Sequence, residues 1–382
     1  MIPYARQEVT EKDIDAVCEV LRSQFLTQGP TVSQFESVVS AYCNINYAIA
    51  VCNATAALHI ACLALGLGPG DWLWTSPNTF VASANCARYC GAQVDFVDIN
   101  PKTYNISLDA LREKLNFAER NGCLPKIIVP VHFAGQACEM REIKALSEKY
   151  DFRIIEDASH ALGGKYYGEP VGNCRYSDIT IFSFHPVKII TTGEGGMALT
   201  NDAALAHKMC QLRSHGITRD VLEMIDETHG DWYYQQLFLG YNYRMTDIQA
   251  ALGISQMARL DQFIQKRHLI AEKYTLSFSM LPIVTPYQNA LVYSAYHLYP
   301  IRIDKLKRKA IFNYLRRTGI GVNIHYIPVH LQPYYQTLGF CKGMFPEAER
   351  YYQEVISLPI FTTLTDAQQD YIVSRIRKCL KK

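Results

Sequence analysis

The run Ser183-Phe184-His185-Pro186-Val187-Lys188 is followed closely by Thr191-Thr192-Gly193-Glu194-Gly195-Gly196. A lysine just past an apolar, strand-like stretch, with a glycine-rich turn behind it, can be held in an interior cleft. Partial burial lowers an amine's pKa, and a neutral amine condenses with an aldehyde. A lysine stretched along the surface would stay charged and do neither. Several glycines in succession also let backbone approach a ligand closely. One strand earlier, Ile154-Ile155-Glu156-Asp157-Ala158-Ser159-His160 places Asp157 at the end of another apolar run. Alone, a strand-end aspartate reads as a helix cap. Beside a reactive lysine it reads as the carboxylate that keeps a pyridine nitrogen protonated, preserving that ring as an electron sink. The pair points to pyridoxal-phosphate (PLP) chemistry.

A third element, Cys52-Asn53-Ala54-Thr55-Ala56-Ala57-Leu58, ends a strand, offers a hydroxyl and opens an Ala-rich helix. Its first amides and the positive end of its dipole would face a phosphate, worth roughly 0.3–1 kcal/mol per charge and up to ~2 when partly buried. On this segment alone, Thr55 as an ordinary cap is an equal reading. No Walker lysine follows, so this is not a nucleoside-triphosphate loop. Gly66-Leu67-Gly68-Pro69-Gly70 follows a helix and lacks dinucleotide-binding spacing, which weighs against a nicotinamide enzyme. Phe80, in Pro77-Asn78-Thr79-Phe80, is a candidate to stack on a pyridine ring.

The elements that must position these residues alternate. Strand-like runs at 47–52, 93–97, 127–130, 153–156, 179–184 and 196–200 are separated by helical patterns such as 56–65, 108–120 and 140–150. That alternation predicts an α/β fold with a mostly parallel sheet covered on both faces, and a site beyond the carboxyl ends of its strands. From about Thr246 the pattern changes: one long helix over 246–277, strands at 299–302 and 322–324, and a helix over 305–318 ended by Gly319. We place a boundary near residue 255, giving a large α/β domain over 1–255 and a smaller α+β domain over 256–382.

Composition narrows the class. Of 382 residues, 49% are hydrophobic, enough for a large core, and the net charge of +2 leaves no basic block for nucleic acid. The twelve cysteines are scattered through apolar runs, and Met1-Ile2-Pro3-Tyr4-Ala5-Arg6 lacks a signal-peptide core. These features predict reduced thiols in a cytoplasmic protein. Cys86 and Cys90 have no second pair nearby, so no metal site is expected. No apolar run reaches membrane-spanning length. The basic stretch from Arg375 to Lys382 reads as the exposed end of a last helix.

Further motifs extend the pattern: Leu26-Thr27-Gln28-Gly29, Arg213-Ser214-His215-Gly216, and Gly240-Tyr241-Asn242-Tyr243-Arg244-Met245 running into Asp247-Ile248-Gln249-Ala250-Ala251-Leu252-Gly253. In this order, with the segments above, the chain resembles the DegT/DnrJ/StrS family of PLP-dependent sugar aminotransferases nearly end to end. The resemblance implies a fold-type I, aspartate aminotransferase-like transferase. It assigns Lys188 to the Schiff base and to proton transfer, Asp157 to the pyridinium nitrogen, and His160 to the ring's phenolic-oxygen side. Phe80 would stack on the ring, while Thr55, Ala56 and Ser183 would cradle the phosphate; position 56 is Ala where relatives can carry a hydroxyl. Asn242 would reach the phosphate from a partner subunit, making a homodimer with shared sites. Tyr4, Gln24, Phe25, Leu26, Thr27, Asn323, Ile324, His325 and Tyr326 resemble sugar-nucleotide contacts. Arg213, His215, Arg244 and His325 remain candidates for the amino donor's carboxylates or the diphosphate.

Within the family, Ile2-Pro3-Tyr4-Ala5-Arg6-Gln7, Ser159-His160-Ala161-Leu162-Gly163 and Val322-Asn323-Ile324-His325-Tyr326-Ile327-Pro328 are most similar to the branch serving pseudaminic acid synthesis. That likeness implies amino transfer from L-glutamate to C4 of UDP-2-acetamido-2,6-dideoxy-β-L-arabino-hex-4-ulose, with pyridoxamine phosphate (PMP) as the intermediate cofactor form. Rival readings are a relative acting on another nucleotide keto-sugar at C3 or C4, a dehydratase of the same fold, and a non-catalytic binding or regulatory protein. Such dehydratases carry histidine in place of the lysine, and Lys188 is intact; loss of Lys188 or Asp157 would favour the last.

Overall fold

The computed structural model describes residues 1–380. Seven strands form the central sheet: β1 (Tyr47–Val51), β2 (Trp72–Thr75), β3 (Gln93–Phe96), β4 (Ile127–Val129), β5 (Arg153–Asp157), β6 (Ile179–Ser183) and β7 (Gly196–Thr200). Their spatial order is β1-β7-β6-β5-β4-β2-β3. β3, β2, β4, β5 and β6 pair in parallel, and β7 runs antiparallel to both β6 and β1. Near-continuous apolar runs such as Ile127–Val129 and Ile179–Ser183 suit strands covered on both faces. One apolar cluster, including Phe35, Ile128, Ile154 and Phe182, and a second, including Ile60, Leu73, Val129 and Ile181, provide that cover.

A third cluster joins Ile270 and Tyr274 to Tyr299, Leu315, Ile356 and Ile376. Here strands Tyr299–Arg302 and Val355–Leu358 pair antiparallel beneath helices Lys305–Arg317 and Asp366–Leu380. Gly319, at φ +81°, takes the left-handed turn that ends the first of these helices. The N-terminal strap crosses to this unit: Ile2 bridges Ile320, and the Ile360 amide donates to the Tyr4 carbonyl.

Three expectations differ from the structure. β2 is an additional strand, entered directly from the Gly-Pro-Gly turn and paired in parallel between β3 and β4. The helix expected over 246–277 is two helices, Asp247–Met257 and Leu260–Phe278. Between them Arg259 leaves helical geometry, and its guanidinium pairs with Glu8 and Asp13. Residues 322–324 form no strand; Asn323 makes a single bridge to Ser357. No described helix is long and apolar enough to cross a membrane. Lys381 and Lys382, at the end of the expected basic tail, lie outside the described residues.

Candidate active site

The carboxyl ends of β1, β5 and β6 meet at one edge of the sheet, because Val51 and Ser183 both stand opposite Gly196 and Asp157 stands opposite Ile181. Beyond that edge lies a cavity of about 590 Å³ whose lining includes Asp157, His160, Ser183 and Lys188. The loop carrying Lys188 is pinned to itself: the Lys188 amide donates to the His185 carbonyl, and the Thr192 amide donates to the Phe184 carbonyl. Lys188 is enclosed by protein yet opens onto the cavity, and its amine makes no hydrogen bond or close ion pair among the described residues. Burial pushes the amine down to about 8, against the opposing pull of the Asp157 carboxylate. Near pH 7 roughly a tenth of the amine is therefore free base, against under a thousandth for an ordinary lysine. Asp157 is held in place from two sides: Ser83 Oγ donates to Oδ2 at 2.6 Å, and the Ser159 amide donates to Oδ1 at 3.1 Å.

The anion-binding end is helix Ala54–Ala64. Asn53 caps it, with Oδ1 accepting the Ala56 amide at 2.9 Å. This corrects the expectation for Ala56: its N–H is already committed to the cap, and Ala56 does not line the cavity. Ala54 and Thr55, which do line it, are the first-turn residues whose amides have no partner within the helix. Gly196 makes this approach possible. A Cβ there would lie 2.4–2.6 Å from the Asn53 and Ala54 backbone, so only glycine lets β7 sit under the helix start. Phe80 is 58% exposed and stands at the cavity wall.

Besides exposed His185, three buried histidines line the same space: His160, His297 and His325. His160 and His297 have ring centroids 4.3 Å apart. Burial, reinforced by neighbouring positive charge, holds both well below the usual histidine range. His325 is pushed down to about 3 by burial and by Lys188, and its Nδ1 lies 2.9 Å from Ser357 Oγ. All three are neutral at pH 7, which removes His325 from the candidates for a cationic anion binder. Tyr4, from the N-terminal strap, lies 5.4 Å from the His325 ring, and Asn323, Ile324 and Tyr326 complete this wall.

Other expected site residues lie elsewhere on the chain. Arg213 is taken by the Glu36 carboxylate and donates to the Ala50 carbonyl at 2.7 Å; it is a brace between helix Pro30–Cys43 and β1. His215, Asn242, Gln24, Phe25, Leu26 and Thr27 are outside the cavity. Arg244 is also absent from the lining; its backbone bridges Val51. Conversely, Ser83, Asn53, Thr79, His297 and Glu194 belong to the site or its supports without being among the residues expected there. Asn53 carried a signal, since an Asn before an Ala-rich helix is a favoured cap. Ser83 and His297 carried none, because their roles depend on packing between distant elements.

A free amine in a closed cleft, an anchored carboxylate across from it, and unpaired amides at a helix start suit an aldehyde-bearing, phosphorylated pyridine. The class they define is a PLP-dependent transferase. The model of the DegT/DnrJ/EryC1/StrS aminotransferase family matches residues 7–377. The chain is 37% identical over 387 residues to the spore coat polysaccharide biosynthesis protein SpsC of Bacillus subtilis, covering 100% of this chain and 97% of the relative. It is 36% identical over 386 residues to the UDP-4-amino-4,6-dideoxy-N-acetyl-beta-L-altrosamine transaminase of Campylobacter jejuni, covering 100% and 98%. Among solved structures, Helicobacter pylori PseC, an aminotransferase involved in the biosynthesis of pseudoaminic acid, superposes with TM-score 0.92 at 31% identity, covering 100% and 99%. A Streptococcus pneumoniae sugar aminotransferase in its PMP form gives TM-score 0.92 at 31% identity, with the same coverage, and it is also solved in a PLP form. The chain belongs to the DegT/DnrJ/EryC1/StrS aminotransferase family. It is a sugar aminotransferase with the fold-type I architecture, and pyridoxal phosphate is its cofactor.

Proposed function

We propose that the enzyme moves an amino group from L-glutamate to C4 of a UDP-linked 4-keto-6-deoxy-N-acetylhexosamine, UDP-2-acetamido-2,6-dideoxy-β-L-arabino-hex-4-ulose, in pseudaminic acid synthesis. The observation that carries this reading is the junction over Lys188. The Tyr4 strap and the Asn323, Ile324, His325 and Tyr326 wall close on the same cavity that holds the amine and Asp157. Bound PLP supplies the electron sink that lets a Cα–H bond ionise. Lys188 would hold the cofactor and, when released from it, would carry the proton taken from the substrate's Cα, a task suited to an amine titrating near working pH. Asp157, held by Ser83, would face the pyridine nitrogen, Thr55 and Ser183 would face the phosphate, Phe80 would cover the ring, and His160 would stand on its oxygen side.

A homodimer accounts for the residues left outside. Asn242 is exposed on a stretch that also displays Leu222 at 94% and Trp232 at 75% exposure, together with Val221, Ile225 and Leu239. A second copy covering this apolar face would bring Asn242 and its neighbours to the other subunit's phosphate site. The division into domains 1–255 and 256–382, and a cytoplasmic setting suited to a chain with twelve scattered cysteines, belong to the same reading.

The deciding assay supplies L-glutamate and the 4-keto product of a UDP-GlcNAc 5-inverting dehydratase. A product whose mass shows the ketone oxygen replaced by an amine is expected. Turnover only with a different keto-sugar, at C3 or C4, would reassign the substrate and leave the enzyme class intact.

A further inference from the structure

The cavity lining contains a hydrogen-bond chain whose direction follows atom by atom. The Ala134 amide donates to His160 Nδ1 at 3.3 Å. An N–H donor requires a lone pair on its partner, so Nδ1 carries no hydrogen. The ring is neutral, because burial and the nearby Lys188 charge oppose its protonation. Its one hydrogen therefore sits on Nε2. Nε2 lies 3.1 Å from Tyr326 Oη, and with the hydrogen on nitrogen the phenol oxygen must be the acceptor. Burial also keeps the Tyr326 phenol protonated. Its own hydrogen is consequently uncommitted: Tyr326 Oη makes no other hydrogen bond among the described residues, and the side chain lines the cavity. The His297 ring packs against His160, tilted and with centroids 4.3 Å apart, and the Ala134 amide sets the direction of the chain.

We propose that Tyr326 presents this hydrogen to the oxygen that is exchanged for nitrogen at the reacting carbon, with His160 as the positioning residue that leaves it free. The proposal rests on the aminotransferase reading of the cavity and deepens it. In the exchange a carbon–oxygen double bond gives way to carbon–nitrogen, and the oxygen departs as water carrying both hydrogens that were on nitrogen. Release of the keto acid from the amino donor is the same exchange reversed. A neutral donor aimed at that oxygen polarises the carbonyl and steadies the charge that builds there, without competing as a base for the Cα proton. Removal of the Cα proton involves no oxygen and does not need Tyr326.

Tyr326→Phe removes the hydroxyl alone, and two rates on L-glutamate separate the roles. Washout of the glutamate Cα hydrogen into D₂O should stay within about threefold of the unmodified enzyme, while single-turnover release of 2-oxoglutarate should fall about 100-fold. Parallel loss of both rates would make Tyr326 structural, and loss of neither would remove it from the chemistry; either result overturns the proposal. The ¹⁵N spectrum of histidine-labelled enzyme reads the chain without turnover: His160 should show hydrogen on Nε2 and none on Nδ1, and the opposite tautomer overturns the proposal. Because both rates use the amino donor only, an enzyme that passes these tests but aminates no UDP-linked keto-sugar would condemn the substrate assignment alone.

Discussion

Two lysines of this chain are enclosed by protein and treated in opposite ways. Lys114 is satisfied on every side: it pairs with Asp95, donates to the Phe96 carbonyl at 2.7 Å and sits 5.0 Å from the Trp74 ring centre. Lys188 has comparable enclosure but no hydrogen bond, and only the field of Asp157 to favour its charge. Burial lowers both amines, yet Asp95 pushes back directly at Lys114. Reactivity here comes from partners withheld. The same contrast holds for polar groups generally: most buried ones are hydrogen-bonded, whereas the Lys188 cavity keeps the His297 Nδ1 atom and the Tyr326 hydrogen unspent.

The sharpest way to break the comparison is to remove each amine. Lys188→Ala should lower amino transfer on the order of 10⁴-fold or more and abolish the adduct trapped by borohydride. A variant retaining full rate would end the assignment. Asp157→Asn, which keeps shape and loses charge, should cost on the order of 10²–10³-fold in turnover, measured at saturating cofactor. The pH dependence of trapping on apo-enzyme should follow the free amine, rising roughly tenfold from pH 7 to pH 9 around a midpoint near 8. A midpoint near 10.4 would show Lys188 to be an ordinary solvated lysine.

The neutral histidines carry the opposite signature, in stability. The unfolded chain takes up their protons below about pH 6.5, while folded His160, His297 and His325 do not. Stability they confer is present above that pH and lost as pH falls toward 3, by up to about 1.4 kcal/mol per pH unit for each ring. Denaturant titrations at pH 7 and pH 5 should show this slope, and His297→Gln should flatten it by one ring's share. The smallest effect belongs to the satisfied lysine: Lys114→Met should leave turnover within twofold and cost about 1 kcal/mol in unfolding free energy.

Local signals made much of this legible before any coordinates. The apolar runs ending in Asp157 and before Lys188 carry strand and chemistry in one stretch, so their side chains arrive at the sheet edge by construction. Helix Met140–Tyr150 and strand Gly196–Thr200 likewise fall where periodicity puts them. Long-range pairings leave no local pattern in the sequence. Nothing around Arg213 announces Glu36, far away in sequence, yet that partner turns a candidate substrate clamp into a brace. The Ala56 amide, expected at the phosphate, is held by the Asn53 cap. Arg259 splits a continuous helical pattern because its partners lie in the first residues of the chain.

The reversed strand Gly196–Thr200 has a mechanical consequence. A helical crossover after Ser183 would carry the chain to the far end of the sheet; the reversal returns it at once, so the Lys188 loop is a short span anchored at both feet on the same rim. Ser183 and Gly196, its two feet, are neighbours across one rung of the ladder. Gly196 is also the seat of the helix that offers its amides to the phosphate. The nucleophile and the anion seat are thus bolted to a single joint, and when the sheet flexes they travel together.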